Sequence, residues 1–432
     1  MISEISVTSV ARKIMQTPRV LLLTTPNTYR ATAFMAAAER LGVEVVTAID
    51  MPPALAELWQ QRLGIDFGDL DTATEAIVVF AATQPLDAII ALDDSGSLLA
   101  ARASEALGLP HNSYDAALAG RDKHRMRQLL AAAGVPSPQF RLCSTADNSR
   151  DVAAQVSYPC VVKPTNLNGS RGVIRADNSA ECVAAIARLT RLLNEIDPGP
   201  HPKPFLVEDF IPGFEVALEG LLDHGDLRVL ALFDKPDPLD GPFFEETIYV
   251  TPSRLPATTQ QAIADCAAAA AAALGLREGP LHAELRVNEQ GPWIVELTGR
   301  SIGGECSKTL QFGTAMSLEE LILRQACGLP IESFEREQAA GGVMMIPIPG
   351  AGILRQVHGE KEARDVPLVT EVSITAKPHY PLVPLPEGDS YLGFIFAHGT
   401  TPDAVEAALR AAHSRLHFDI QPSITLQTAV GR

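Results

Sequence analysis

The chain has 432 residues, of which 46% are hydrophobic and 20% charged, and its formal net charge is −17 at pH 7. This length exceeds what one hydrophobic core usually organises, so we expect about two to four domains of an ordinary globular protein. No basic run offsets the negative charge, which argues against nucleic acid or an anionic membrane as a partner.

Targeting and redox features of the sequence favour the cytoplasm. No apolar stretch reaches the length of a membrane span, and residues 1–19 lack the apolar core of a signal peptide. The six cysteines are scattered without CxxC spacing, so the sequence indicates neither a zinc site nor a disulfide framework. We therefore predict a protein of the reducing cytoplasm.

Strand and helix patterns alternate in the first part of the chain. Residues 19–25 (RVLLLTT), 43–49 (VEVVTAI) and 86–94 (LDAIIALDD) are typical of strands, and helical patterns lie between and after them. This alternation predicts βαβ units and a parallel sheet, whose ligands bind where the strands end. The polar residues at these ends either bind ligand or serve only in loops and caps; they are Thr24, Thr25, Asp93, Asp94 and Ser95.

A second unit begins near residue 121. The segment RDKHRMRQLLAAAG predicts an amphipathic helix that ends at Gly134, YPCVVK predicts a buried strand, and three more strands are predicted between residues 204 and 234. Capping boxes are predicted at Asn178 to Glu181 and at Thr258 to Gln261, each ahead of a helix. The AAGG segment at residues 339–342 is typical of a linker, and the patterns beyond it predict a small α+β domain.

One strand and the loop after it carry groups suited to phosphate. Val161 and Lys163 belong to the strand YPCVVK, and the following loop, NGSRG, offers backbone N–H groups, Ser170 and the fork of Arg171. The alternative is a solvated strand tip followed by a common turn. No glycine is followed by lysine and no GxGxxG follows a strand, which argues against a Walker-type NTPase and a simple dinucleotide-binding domain.

The segment FLVEDFIPGFE at residues 205–215 is an apolar strand that breaks at an acidic pair. Backbone groups at the edge of such a strand could read an adenine, and Glu215 could accept hydrogen bonds from ribose hydroxyls. The alternative is a surface loop with ordinary acidic residues.

The segment HAELRVNEQGPWIVELTGR at residues 282–300 predicts a hairpin. If NEQGP forms a five-residue turn, Val287 faces Trp293 and Glu284 lies opposite Glu296, whereas a two-residue turn at Gln290 and Gly291 would send the two carboxylates to opposite faces. Like charges that face each other across strands are destabilising. A bound cation would remove that penalty, and Mg²⁺ is commonly held by one or two carboxylates together with substrate phosphates.

Taken in order, these features resemble the ATP-grasp superfamily over nearly the whole chain. The order runs from Lys123 and Lys163 through the Gly/Ser loop and VEDFIPGFE to Glu284, Glu296 and Arg300. Two segments resemble the L-amino-acid ligases (dipeptide synthetases) in particular: ELTGRSIGGE, and PLPEGDSYLGFIFAHGTTPDAVEAALRAA, which is similar to their C-terminal domain. The resemblance implies an ATP-grasp fold, α/β and α+β, with a Rossmann-like pre-ATP-grasp domain at residues 1–120, the ATP-grasp domain at 121–335 and a small α+β domain at 336–432.

The resemblance also implies roles at a nucleotide and metal site. The nucleotide residues would be Lys123, Val161, Lys163, Ser170 and Arg171 for the phosphates and their lid, Glu208 and the backbones of Asp209 and Ile211 for adenine, and Glu215 for ribose. Glu284 and Glu296 would bind Mg²⁺ or Mn²⁺. Thr298 stands where many members of the superfamily have Asn, which leaves the number of metal ions open.

Further residues would act on the substrates. Arg300 would stabilise an acyl phosphate and the developing oxyanion, with Lys163 and Ser170 as the other catalytic residues. Gly303 and Gly304 would let backbone approach the same oxygens. The remaining substrate candidates are Glu246 and Tyr249, which stand in an E-x-x-H-x-x-P motif with Tyr in place of His, and Lys235 and Arg254 for a substrate carboxylate.

The function that this resemblance implies is an ATP-dependent carboxylate–amine ligase that forms an amide bond through an acyl phosphate, with amino acids as substrates and a homodimer as a possible assembly. Two alternatives stay open at this stage. One is a purine-biosynthesis or biotin carboxylase-like enzyme, although no MKM carrier motif occurs. The other is a nucleotide-binding regulatory protein without catalysis.

Overall fold

The computed structural model describes residues 17–59 and 63–422. Of residues 1–19, for which the sequence predicts no signal peptide, only the last three belong to the described part of the chain. Within them, no helix is both long and apolar enough to cross a membrane.

The N-terminal region forms the predicted parallel sheet. Its elements are β1 (Arg19–Thr24), α1 (Ala31–Leu41), β2 (Glu44–Asp50), α2 (Pro53–Leu58), β3 (Leu63–Ile65), α3 (Leu70–Thr83), β4 (Ala88–Ala91) and α4 (Ser97–Leu107). The strands pair in the order β3-β2-β1-β4, all parallel. Side chains of β1 alternate between two cores, with Val20 and Leu22 on one face and Leu21 and Leu23 on the other, because both faces of the sheet are covered.

The middle region contains two antiparallel sheets. Its elements are α5 (Tyr114–Arg121), α6 (Lys123–Ala132), β5 (Phe140–Ser144), α7 (Ser149–Ala153), β6 (Cys160–Pro164), β7 (Ile174–Ala176), α8 (Ser179–Ile196), β8 (Pro204–Asp209), β9 (Phe214–Asp223), β10 (Asp226–Lys235), β11 (Ile248–Thr251), α9 (Ala257–Leu274), β12 (Gly279–Asn288), β13 (Gly291–Thr298) and α10 (Leu318–Ala326). The small sheet has the order β5-β8-β6-β7, and the remaining strands belong to a sheet of eight.

One of the two predicted capping boxes is confirmed in part: its N-cap bond is present, but the Glu181 side chain accepts from the backbone N–H of Asp177 instead of that of Asn178. The side chain of Asn178 accepts a hydrogen bond from the backbone N–H of Glu181 at the start of α8. The box at Thr258 is wrong, because α9 already begins at Ala257 after Pro256, which adopts φ −55° and provides no side-chain cap. A proline favours the start of a helix because its φ is fixed near the helical value, and here the helix starts directly after Pro256.

The C-terminal region completes the large sheet. Its elements are β14 (Ala340–Ile346), β15 (Gly352–His358), α11 (Glu360–Arg364), β16 (Val369–Ile374), β17 (Pro381–Leu382), β18 (Gly393–Gly399), α12 (Pro402–His413) and β19 (His417–Pro422). The eight strands run in the order β13-β12-β9-β10-β11-β14-β18-β16, and β17-β15-β19 form a separate sheet. The last two regions therefore share one sheet.

The predicted linker at residues 339–342 is wrong, because most of it is the start of β14. Gly341 and Gly342 pair with β11 on one side and β18 on the other. A Cβ on Gly341 would lie 2.8 Å from the carbonyl oxygen of Thr309, and one on Gly342 would lie 2.7 Å from a methyl group of Val405. These glycines permit close packing rather than flexibility.

The hairpin of β12 and β13 places Glu284 opposite Glu296, as predicted, but by a different route. The turn has two residues, since Asn288 pairs with Gly291, and this tight turn alone would not bring the carboxylates into register. A β-bulge restores it: Val295 is an extra residue between Ile294, which pairs with Leu285, and Glu296.

Candidate active site

A cavity of about 540 Å³ lies between the small sheet and the large sheet. The N-terminal and C-terminal regions close its remaining sides, through residues such as Tyr29, Asp93 and Tyr391. The predicted site residues that line it are Lys123, Val161, Lys163, Ser170, Glu208, Asp209, Ile211, Glu215, Glu246, Tyr249, Glu284, Glu296, Arg300, Gly303 and Gly304. Of the strand-end residues, Asp93 and Asp94 line it as well.

Buried ion pairs organise the end of the cavity formed by β6 and β8. The ammonium of Lys163 lies 2.6 Å from Glu208, whose other contact is Arg127 of α6 at 2.8 Å. Burial lowers the pKa of Lys163 to about 8, even though the charge of Glu208 opposes this effect. Burial alone would raise the pKa of Glu208, but Arg127 and Lys163 hold it below its usual value. Both cationic ends of this triad remain paired without any ligand.

Arg127 is a residue that the sequence analysis missed. It is fully buried, and its guanidinium also donates to the carbonyl oxygen of Val295, 2.7 Å away, at the bulge of β13. It therefore connects strand β8, which carries Glu208, to the hairpin that carries Glu296. The available signal was its position four residues after Lys123 on one face of a helix.

Lys123 bridges the hairpin and the loop after β6. Its ammonium donates to Glu296 at 3.1 Å and to the carbonyl oxygen of Leu167 at 2.8 Å. The side chain is nearly buried, so this lysine neutralises one of the two facing carboxylates.

The lid loop, residues 168–172, contacts both outer regions of the protein. Asn168 donates to Asp94 at 2.7 Å, Arg171 donates to the carbonyl oxygen of Glu387 at 2.8 Å, and the N–H of Gly172 donates to Pro386. Arg171 thus faces the C-terminal region and does not line the cavity, whereas Ser170 does. A bidentate pair between Arg188 of α8 and Glu387, at 2.6 and 2.8 Å, holds the same contact.

Three carboxylates that line the cavity surround the buried ammonium of Lys235. Glu215, Glu246 and Glu284 lie 2.9, 2.7 and 3.2 Å from its ammonium, and their oxygens lie within 4.8 Å of one another. Burial and the charge of Glu284 raise the pKa of Glu246 to about 7. Burial would also raise the pKa of Glu284, but Lys235 and His282 hold it well below its usual range. Because Arg286 also pairs with Glu215 at 2.9 Å, three carboxylates face two permanent cations, Lys235 and Arg286.

These carboxylates are the donors that a hard divalent cation prefers. Glu284 could hold Mg²⁺ together with Glu296, as predicted, or with Glu246 and Glu215, whose carboxylate oxygens lie within 4.8 Å of its own. The hydroxyl of Thr298 is buried and has no hydrogen-bond partner among the residues that the structure describes, and Thr298 is not among the cavity-lining residues. The donor set fits one such ion without any contribution from Thr298.

Arg300 lies where the three regions meet. Its guanidinium donates to Asp94 of the N-terminal region at 2.8 Å and to the carbonyl oxygen of Ser301 at 3.0 Å. Burial would lower the pKa of Arg300, but Asp94 keeps it above its usual value, so the group carries a permanent positive charge. Gly304 follows in the same loop with φ 60°, and a Cβ there would lie 2.4 Å from the sulfur of Met345.

The N-terminal region contributes two residues that the sequence analysis also missed. The backbone N–H of Gly304 donates to the Tyr29 hydroxyl at 3.0 Å, and Arg30 donates to Ser301 at 2.9 Å. Both precede α1, far in sequence from the loop that they contact. Of the two residues predicted for a substrate carboxylate, Lys235 lies within the carboxylate cluster, and Arg254 lies outside the cavity, bound to Asp234.

The fold and the cavity together define a class of protein in which two antiparallel sheets enclose a cavity and a parallel α/β region closes one of its sides. Family models agree in all three regions: "ATP-grasp N-terminal domain" matches residues 35–111, "ATP-grasp domain" residues 156–309, and "L-amino acid ligase C-terminal domain 2" residues 344–421. The chain belongs to the ATP-grasp superfamily and carries the C-terminal domain of the L-amino acid ligases.

Individual proteins extend this likeness. The chain is 26% identical to the alanine–anticapsin ligase of Bacillus subtilis over 276 residues, 60% of this chain and 57% of that one, and 30% identical to the D-alanine–D-alanine ligase of Aromatoleum aromaticum over 179 residues, 41% and 55% of the two chains. It thus spans about three fifths of the length of the curated relatives it matches. The crystal structure of an L-amino acid ligase from Bacillus licheniformis superposes with a TM-score of 0.75 and 26% identity over 94% of this chain and 99% of that one.

Proposed function

We propose that this protein is an ATP-dependent carboxylate–amine ligase that forms an amide bond through an acyl phosphate, with amino acids as substrates. The observation that carries the proposal is a single cavity into which the paired lysines, the carboxylate cluster and Arg300 all open. Relatives named as ligases of alanine, and the L-amino acid ligase C-terminal domain, support amino-acid substrates.

ATP would lie between the two sheets, with its phosphates at Lys123 and Lys163. Adenine would meet the backbones of Asp209 and Ile211 at the end of β8, and ribose would lie near Glu215. The two lysines pair with Glu296 and Glu208, and phosphate oxygens could replace these partners, since Glu208 would keep Arg127 and Glu296 would hold Mg²⁺.

Glu284 and Glu296 would hold Mg²⁺, with Glu246 as a further donor close to Glu284. When bound, the ion would neutralise negative charge on the phosphates.

The first step places the substrate carboxylate in line with the terminal phosphate. A carboxylate oxygen attacks the terminal phosphorus, the bond to the bridging oxygen breaks, and ADP leaves. In the second step the amine attacks the acyl carbon, the bond to the phosphate oxygen breaks, and inorganic phosphate leaves while the amine loses its proton. Arg300 would stabilise the charged oxygens of both steps, because its guanidinium stays ionised and its hydrogen bond to Asp94 fixes its position.

The carboxylate cluster would position an amino group. The cluster around Lys235 has an excess of carboxylates, and a substrate ammonium near Glu246 would reduce that imbalance. The lid loop, anchored on both sides by Asp94 and Glu387, would keep water from the acyl phosphate. A cytoplasmic location and a homodimer belong to the proposal; six buried free cysteines are consistent with a reducing compartment.

Phosphate release from Mg·ATP tests the proposal. Purified protein would be screened with the twenty amino acids singly and in pairs, followed by mass spectrometry of active wells. We expect release that requires two substrates and a product whose mass is their sum minus water, and no product from Glu296→Gln. Bicarbonate-stimulated ATP turnover without an amine, or ATP binding without any turnover, would contradict the proposal.

A further inference from the structure

Arg30 differs from the other cations of the cavity in how its charge is met. Among the residues that the structure describes, five lysines and arginines line the cavity: Arg30, Lys123, Lys163, Arg286 and Arg300. Four of them have a carboxylate oxygen within 3.1 Å. For Arg30 the nearest carboxylate contact joins its Nε to Asp93 at 3.9 Å, beyond hydrogen-bond distance.

Within the described part of the chain, only one of the three nitrogen atoms of the Arg30 guanidinium donates a hydrogen bond to the protein. Its side chain is 10% exposed, and Nη1 donates to the carbonyl oxygen and the hydroxyl of Ser301 at 2.9 and 3.0 Å. Nε and Nη2 have no acceptor at hydrogen-bond distance in the described part of the chain. Neither atom belongs to the buried donors without a partner, so both remain accessible on a residue that lines the cavity, where a ligand can accept hydrogen bonds from them.

The unused side of Arg30 opens at the substrate end of the cavity. Nη2 lies 3.5 Å from the position that a Cβ on Gly303 would occupy, so the absent side chain leaves room there. Asp93 is turned partly away, since its other oxygen accepts from the hydroxyl of Thr25 at 3.2 Å. Room for a ligand group therefore lies beside Nη2, and Asp93 approaches Nε only to 3.9 Å.

Arg30 and Arg300 stand next to each other. Both donate to the carbonyl oxygen of Ser301, at 2.9 and 3.0 Å. Arg300 is paired with Asp94, and in the proposed function it faces the reacting centre. One carbon atom separates the amine of an α-amino acid from its carboxylate. An amine that reacts beside Arg300 would therefore bring its carboxylate close to Arg30.

We propose that Arg30 binds the free carboxylate of the amine substrate through Nε and Nη2, which makes an α-amino acid, rather than a simple amine, the nucleophile. The inference rests on the proposed ligase function and names a specificity-determining residue for its second substrate. The paired N–H groups of a guanidinium edge match the two oxygens of a carboxylate. Lys235 and Arg254, the other candidates for this carboxylate, already have carboxylate partners within 3 Å.

The test compares acceptors that differ only in this carboxylate. An amino acid accepted in the screen, its amide and its decarboxylated amine are assayed for kcat/KM at saturating ATP and carboxylate donor. We expect the wild-type protein to prefer the amino acid at least about 10-fold, the scale of hydrogen bonds to a charged group. Arg30→Gln should bring this ratio close to one by raising the KM of the amino acid, and Arg30→Lys should restore part of it.

Two further variants make the result decisive. Arg102→Gln removes an exposed guanidinium of the same region and should keep the wild-type ratio. Gly303→Ala places a methyl group in the space beside Nη2 and should lower the ratio even if Arg30→Gln does not fold. Equal use of acid and amide by the wild type, or an equal loss for both in Arg30→Gln, would overturn the inference.

Trapping with hydroxylamine separates this inference from the proposed function. Hydroxylamine replaces the amine and converts an acyl phosphate to a hydroxamate without presenting a carboxylate to Arg30. Hydroxamate from wild-type protein, donor and ATP, together with equal use of acid and amide, would reject the role of Arg30 and leave the ligase intact. No hydroxamate and no phosphate release with any donor would reject the ligase itself.

Discussion

The two ends of the cavity are built in different ways. At the nucleotide end, the side chains come mainly from one region between residues 123 and 296, and each lysine is matched by a carboxylate at 2.6 to 3.1 Å. At the substrate end, Arg30 and Asp94 come from the N-terminal region, Arg300 from the loop after β13, and Tyr391 from the C-terminal region. There Arg300 lies 2.8 Å from Asp94, whereas the nearest carboxylate oxygen to Arg30 in the described part of the chain is 3.9 Å away.

The difference separates a general task from a specific one. Every ATP molecule presents the same phosphates, so a compact arrangement within one region is sufficient. The second substrate meets a surface that three regions assemble, and a small change in any of them alters its shape without touching the nucleotide. Mutations at the two ends should therefore affect different kinetic constants.

The largest effect on kcat is expected from substitution of Arg300, which lies between the two ends of the cavity. Arg300→Gln should lower kcat by about 100- to 1000-fold, because a positioned positive charge is lost from the transition state, while the KM for ATP changes little. Steady-state kinetics of the variant and of Arg300→Lys, as the charge-conserving control, would check this. Full turnover in Arg300→Gln would contradict the role.

Arg127 tests whether the nucleotide end is also a structural unit. Arg127→Met leaves Glu208 with Lys163 alone and frees the carbonyl of Val295, so we expect a loss of about 3 kcal/mol in the free energy of unfolding. Urea denaturation would measure it. The control is Arg125→Gln on the same helix, whose pair with Asp115 is exposed and should contribute less than about 1 kcal/mol. Equal stability of the two variants would show that the buried triad is not needed.

The pH dependence of ATP use should report on Lys163. Its pKa is about 8 because burial opposes its charge, so the ammonium is present below that pH and is lost above it. We expect kcat/KM for ATP to fall above about pH 8, approaching about tenfold per pH unit. In Lys163→Arg the charge persists and the fall should disappear, whatever the activity of the variant. A flat wild-type profile up to about pH 9.5 would contradict the assignment.

The smallest effect is expected at the contact between the lid loop and the C-terminal region. Glu387→Gln weakens the half-exposed pair with Arg188, so the fraction of ATP hydrolysed without product should rise about 2- to 5-fold. Phosphate and product would be measured in the same samples. Glu360→Gln, which breaks an exposed pair with Arg364 in the same region, should leave the ratio unchanged. An equal ratio in all three proteins would mean that this contact does not hold the lid.

The sequence alone predicted the parallel sheet and most helices and strands, and the structure brings most of the residues predicted for the nucleotide together in one cavity. These elements depend on local periodicity and on motifs within short stretches. It failed at β14, where glycines typical of a linker instead allow close packing against Thr309 and Val405. Such a contact involves segments that are distant in the chain and leaves no local pattern.

The facing carboxylates show how a correct prediction can have a wrong basis. Glu284 lies opposite Glu296 because of a bulge at Val295, and the carbonyl of that residue is bound by Arg127 from a helix far upstream. Arg30 was missed for the same reason, since its partner Ser301 lies 271 residues away. The contributions of Tyr29 and Arg30 to the substrate end could not be predicted because their contacts are of this long-range kind, whereas Arg300, Gly303 and Gly304 lie in one short motif.

The most direct test of the central claim is to follow oxygen-18 from the carboxylate of the donor substrate identified in the screen. If a carboxylate oxygen attacks the terminal phosphorus of ATP, one labelled oxygen from each turnover must appear in inorganic phosphate. We predict that result, with the label in phosphate equal in amount to the amide formed. Unlabelled phosphate, or label in AMP, would contradict an acyl-phosphate ligase.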